Sequence, residues 1–77
     1  MELNNKNLGA RIRNLREDKN ITITALANEV GIERPTLGNI EHGRKGPSLE
    51  VAVKLSQFFD VSLDYLLCLT DDPTHHR

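Results

Sequence analysis

The sequence predicts an all-α fold, a compact bundle of five short helices. Three observations predict it. Apolar residues recur at helical spacing from Leu8 to Leu67, and hydroxyl residues or glycines stand at the borders of those stretches. With 3 prolines, 5 glycines and no tryptophan, the chain offers little material for a β-sandwich.

Leu8, Ile12 and Leu15 fall at i, i+4 and i+7 and set the inner face of a first helix from about Asn5 to Lys19. Asn20 and the β-branched residues after it end that helix. Thr22 caps the second helix, because its hydroxyl can accept from backbone N–H groups that lack intrahelical partners. Ala25 stands where a glutamate or glutamine would complete a capping box. Leu26, Ala27 and Val30 face inward, Ala27 being small where two helices cross, and Gly31 stops the helix. A third helix runs from about Arg34 to His42. Glu33 at its border suits the positive helix end, and Pro35 in the first turn has no hydrogen bond to lose. Leu37 and Ile40 point inward with Ile32, and Gly43 is the stop.

A short basic turn, Gly43-Arg44-Lys45-Gly46-Pro47, leads to Ser48, which caps a fourth helix with Leu49, Ala52, Val53, Leu55 and Phe59 as core. Ser62 caps a last helix carrying Leu63, Leu66 and Leu67. The organisation expected is one domain over residues 1–70 and a frayed polar tail over 71–77.

Composition narrows the function. The 77 residues support one modest core, and no apolar run reaches the roughly 18 residues that span a bilayer. No signal peptide opens the chain, so the expected location is the cytoplasm, at the nucleoid. Cys68 is the one cysteine, which excludes an internal disulfide and reads as a partly buried apolar thiol. His75 and His76 lack a cysteine or carboxylate framework and belong to the tail rather than to a metal site. No nucleophile–base pair, carboxylate dyad or phosphate loop is present, so an enzyme, a cofactor and a small-molecule ligand are not expected. The formal net charge of −1 is unevenly spread. Lys6, Arg11, Arg13, Arg16 and Lys19 outnumber the acids of residues 1–20, and Arg34, Arg44 and Lys45 outnumber those of residues 31–46. Glu50, Asp60, Asp64, Asp71 and Asp72 make the C-terminal part acidic. A basic face with an acidic back suits a binder of double-stranded DNA.

The stretch TITALANEVGIERPTLGNIEHG, Thr22 to Gly43, has the form of two helices joined by a tight turn, with the start of the second exposed. With IRNLRED before it and GPSLE and VSLDYLL after it, the segment from Leu8 to Leu67 resembles the lambda-repressor-like (Cro/repressor, XRE-type) helix-turn-helix transcriptional regulators. The resemblance covers about 60 of the 77 residues. It implies that the helix beginning at Arg34 is the recognition helix, with Arg34, Pro35, Thr36, Gly38 and Asn39 facing the major groove. Arg34 would pair with guanine, Asn39 with adenine, and Thr36 with a thymine methyl or a phosphate. Thr22 and Ile23 would meet a phosphate through the backbone at the second helix's start, and Arg44 and Lys45 would add phosphate contacts. His42 is expected as a capping or phosphate-side residue.

Three positions depart from the family pattern. Ile23 replaces the usual glutamine after the cap and removes a side-chain phosphate contact. Pro35 replaces a polar groove-facing residue and cannot donate a hydrogen bond, and Gly38, mid-helix, should cost about 1 kcal/mol against alanine. Glu41, in the last turn of its helix, is disfavoured by the helix dipole and needs a dedicated partner. The resemblance implies Arg16 for a structural ion pair. One short recognition helix reads few base pairs, so a homodimer on two half-sites is expected. The surplus apolar surface from Val61 to Leu69 suggests Tyr65 and Leu69 for its interface. The function expected is that of a small bacterial or phage regulator, a dimeric repressor on a palindromic operator. The alternative is a protein-interaction module (antirepressor or antitoxin) on the same scaffold.

Overall fold

Thr22, Ser48 and Ser62 each turn a side-chain oxygen onto the backbone N–H three residues ahead, at 3.1, 3.2 and 3.0 Å, and so start three of the helices. The computed structural model describes residues 3–74. In chain order the helices are α1 (Asn5–Asp18), α2 (Ile23–Val30), α3 (Arg34–Glu41), α4 (Leu49–Phe59) and α5 (Leu63–Leu66), and the described residues contain no strand. Asn4 caps α1 through Asn7 N–H, whereas Glu33 at the head of α3 makes no side-chain cap bond. Gly31 ends α2 with φ +73°, a conformation that would strain any residue with a Cβ.

The core is one cluster drawn from all five helices. Leu8, Ile12, Leu26, Leu37, Leu55 and Leu66 are fully enclosed, with Ala27, Val30, Ile40, Val51, Ala52, Phe59 and Val61 around them. α1 and α2 both pack on α3, so the helix-turn-helix is clamped from two sides. Gly9 sets the closeness of the α1–α3 crossing. A Cβ there would run into the Ile40 carbonyl oxygen and stand 2.8 Å from that of Glu41. The sequence reading gave the small-residue role to Ala27 and overlooked Gly9.

Two expected core residues are corrected. Leu49 is 75% exposed and Val53 is 36% exposed. The buried stripe of α4 is Val51–Leu55–Phe59 with Ala52–Ser56 beside it, each step being i, i+4. Leu49 and Val53 belong to the adjacent stripe, which continues to exposed Gln57. Leu67, expected inside the fifth helix, is its C-terminal cap residue.

Of the residues expected as a tail, 75–77, including His75 and His76, lie outside the described residues. The preceding segment returns to the body. Ser62 N–H donates to the Pro73 carbonyl at 3.0 Å, and Arg11 holds the Thr70 carbonyl at 3.1 Å and Asp71 at 3.4 Å.

Candidate nucleic-acid interface

α3 divides sharply into two faces. Leu37, Ile40 and Glu41 are buried, while Arg34 and Pro35 are exposed and Thr36, Gly38 and Asn39 are half-buried. On a helix of 3.6 residues per turn, Pro35, Asn39 and His42 therefore line the outward ridge, with Arg34 and Gly38 on one flank and Thr36 on the other. The N-terminus of α2 lies beside this ridge, since a Cβ added to Gly38 would come 3.9 Å from Ile23 Cδ1. Thr22, Thr24 and Ala25 are exposed there, and Ile23 is half-buried. Thr22 faces solvent while capping, so the first turn of α2 presents backbone donors to the same side.

Beyond α3 the basic loop folds back over the helix end. Arg44 N–H donates to the Asn39 carbonyl at 2.9 Å, and Arg44 Nη1 donates to Asn39 Oδ1 at 3.3 Å. Arg44 and Lys45 remain exposed. The side chain of Asn39 is thus oriented by its neighbour, with Oδ1 accepting from the guanidinium and the amide nitrogen left as a donor. His42 Nδ1 lies 2.7 Å from the Gly38 carbonyl, which also accepts from His42 N–H at 3.0 Å. A carbonyl only accepts, so Nδ1 carries the hydrogen and Nε2 is the atom turned outward.

What holds α3 in place is polar as well as apolar. Arg16 Nε and Nη2 reach Glu41 Oε2 and Oε1 at 2.8 and 3.1 Å, a two-pronged ion pair between α1 and the end of α3. Arg16 Nη1 also donates to the Ile21 carbonyl at 3.0 Å, joining the α1–α2 turn to the same knot. The Glu41 side chain is only 3% exposed and that of Arg16 15%. The hydrogen bond with Glu41 raises the Arg16 pKa, burial takes part of that back, and the negative charges of Glu41 and Glu17 add to it. The guanidinium is therefore firmly charged. The link to Ile21 was not legible in the sequence, because nothing in spacing signals a side chain reaching a turn carbonyl.

The two residues expected at a dimer contact differ. Leu69 is 41% exposed. Tyr65 is half-buried, and its ring lies under the Arg11 guanidinium at 4.1 Å from the ring centroid, while Arg11 Nη1 donates to its carbonyl at 2.7 Å. Arg11, counted by sequence only among the basic residues of positions 1–20, is thus a tie between α1, α5 and the segment after it. Among the described residues no helix is long and apolar enough to cross a membrane.

A short α2, a left-handed glycine turn and an α3 whose first turns stand clear of the body define a helix-turn-helix domain. Comparison with known proteins agrees. A helix-turn-helix family model matches residues 12–66. An uncharacterised HTH-type transcriptional regulator of Bacillus subtilis, YobD, is 43% identical over 63 residues, 82% of this chain and 56% of that protein. The chain thus spans little more than half the length of that relative. The P22 c2 repressor, solved with a synthetic operator, superposes with a TM-score of 0.75 at 31% identity, over 87% of this chain and 96% of that one. The clp gene regulator ClgR of Corynebacterium glutamicum gives a TM-score of 0.77 at 30% identity, over 87% of this chain and 71% of that one. The chain belongs to the lambda-repressor-like helix-turn-helix family of transcriptional regulators.

Proposed function

We propose that this domain binds double-stranded DNA sequence-specifically, as a homodimeric repressor acting on a palindromic operator at the nucleoid. One observation carries the reading: α3 buries Leu37, Ile40 and Glu41 and turns out a ridge on which Arg34 and Pro35 are exposed and Thr36, Gly38 and Asn39 half-buried. Entered into a major groove, that ridge reads base edges. Arg34 takes the two acceptors of a guanine, and the Asn39 amide donates to a base while its oxygen stays with Arg44. Thr36 contacts a thymine methyl or a backbone oxygen, and Pro35 and Gly38 contribute shape alone, since neither side chain can donate. Thr22 and Ile23 hold one phosphate through the start of α2, and Arg44 and Lys45 hold others beyond α3.

Exposed Leu69 and half-buried Tyr65 form the dimer contact in this reading. Two copies related by a two-fold axis would then place their α3 helices in successive major grooves, roughly 34 Å apart.

Selection from random duplex DNA tests the proposal. Enriched sites should contain two inverted half-sites, and Arg34→Ala should cost about 1–3 kcal/mol on them while relaxing preference at one position. An Arg34→Ala chain with unaltered preference removes Arg34 as a base reader. A pool that never enriches removes the DNA-binding reading and favours the interaction module. A monomeric sedimentation mass at high micromolar concentration, with and without the selected duplex, removes the dimer.

A further inference from the structure

Sorting the cations by whether each has a carboxylate partner divides them into two groups. Among the described residues, ion pairs engage Arg11, Arg13, Arg16 and Lys54. Lys6, Lys19, Arg34, Arg44 and Lys45 stand outside those pairs. Three of the five meet at one place. A Cβ on Gly43 would stand 2.7 Å from both Cα and Cγ of Lys6, and one on Gly46 would stand 2.9 Å from Asn5 Oδ1. The first turn of α1 is therefore packed directly on the loop that carries Arg44 and Lys45, and the glycines are what allow it so close.

Lys6 is exposed, as are Arg44 and Lys45. The N-terminus of α1, a helix of 14 residues, adds its own partial positive charge at the same spot. Like charges gathered in this way repel one another, mildly in water, and a polyanion relieves that repulsion as it binds. Nothing in sequence spacing brings Lys6 to this loop; only the fold does.

We infer that Lys6 is a further contact to the duplex backbone, taking a phosphate beside those held by Arg44 and Lys45 and extending the footprint onto the first turn of α1. This rests on the DNA-binding reading above. The test uses the full chain on a random-sequence duplex, with affinity followed between about 50 and 200 mM salt. Each phosphate contact contributes about 0.9 to the log–log slope, so Lys6→Gln should lose about 3-fold less affinity than the wild type over that range. Lys6→Arg should keep the wild-type slope, because charge is what counts. Lys54→Gln should keep it too, its ammonium being engaged by Glu50 at 3.2 Å on α4. Thermal melting of Lys6→Gln should equal or slightly exceed the wild type, since the helix dipole disfavours a cation in a first helical turn. A Lys6→Gln slope equal to that of the wild type, alongside a flattened Arg44→Gln slope, overturns the inference and leaves the DNA-binding reading standing. A wild-type chain that binds no duplex overturns both.

Discussion

Arg11 and Arg16 on α1 and Arg34 and Arg44 around α3 are the same residue in opposite employment. The α1 pair is engaged with the body. Arg16 grips Glu41 and the Ile21 carbonyl, and Arg11 covers Tyr65 and holds two carbonyls. Around α3, among the described residues, Arg34 stands outside the ion pairs and Arg44 bonds a neutral amide at the edge of the ridge. The difference teaches that charge count says little about a small DNA-binding domain. A net charge of −1 coexists with exposed Arg34, Arg44 and Lys45 outside the ion pairs, in which Glu17, Glu41, Glu50 and Asp71 engage other cations.

Breaking the α1 side should cost folding, and the largest effect belongs to Glu41. Glu41→Ala leaves the Arg16 guanidinium largely buried without its counter-charge, a loss of about 3–5 kcal/mol. For a domain of this size the melting temperature should fall by roughly 15 °C or more. Removing both charges, as Arg16→Met with Glu41→Leu, should recover most of that loss, because the pair's own desolvation cost disappears with it. A Glu41→Ala melt superimposable on the wild type would mean that the pair carries no structural weight.

Arg11→Ala should cost less, about 2 kcal/mol. It removes charge-assisted hydrogen bonds to the carbonyls of Tyr65 and Thr70 and the contact with the Tyr65 ring. The link to Asp71 adds little, because that carboxylate is fully in water. The loss should also be local: amide exchange at Ser62, whose N–H bonds the Pro73 carbonyl, should speed up more than exchange in α3. Equal acceleration in both places would show that Arg11 supports the whole bundle rather than its C-terminal strap.

The helices were legible because period and caps agree. Thr22, Ser48 and Ser62 announce helix starts in chemistry that depends only on neighbours three residues away. Leu49 and Val53 were misread because α4 carries two adjacent apolar stripes, and pattern alone does not say which one meets the core. The ridge of α3 was readable through family likeness and the local rule that Leu37 and Ile40 must point inward. Lys6, Gly9 and the reach of Arg16 to the Ile21 carbonyl were not. Each depends on which distant segment arrives beside it, and that is a property of tertiary packing.

The smallest effect sharpens the comparison from the α3 side. Gly38 sits inside α3, where glycine costs about 1 kcal/mol against alanine through backbone entropy. Nothing blocks a side chain there, since the nearest atom to an added Cβ is Ile23 Cδ1 at an ordinary 3.9 Å. Gly38→Ala should therefore raise the melting temperature by roughly 5 °C, the opposite sign to Glu41→Ala and Arg11→Ala. Duplex affinity measured on the same protein then says why a stability-costing residue stands on the ridge. A stabilised variant with weaker binding means that the bare backbone at Gly38 approaches the groove. A melting temperature at or below that of the wild type would mean that the Ile23–Gly38 contact is tighter than this geometry describes, and that the N-terminus of α2 presses on α3.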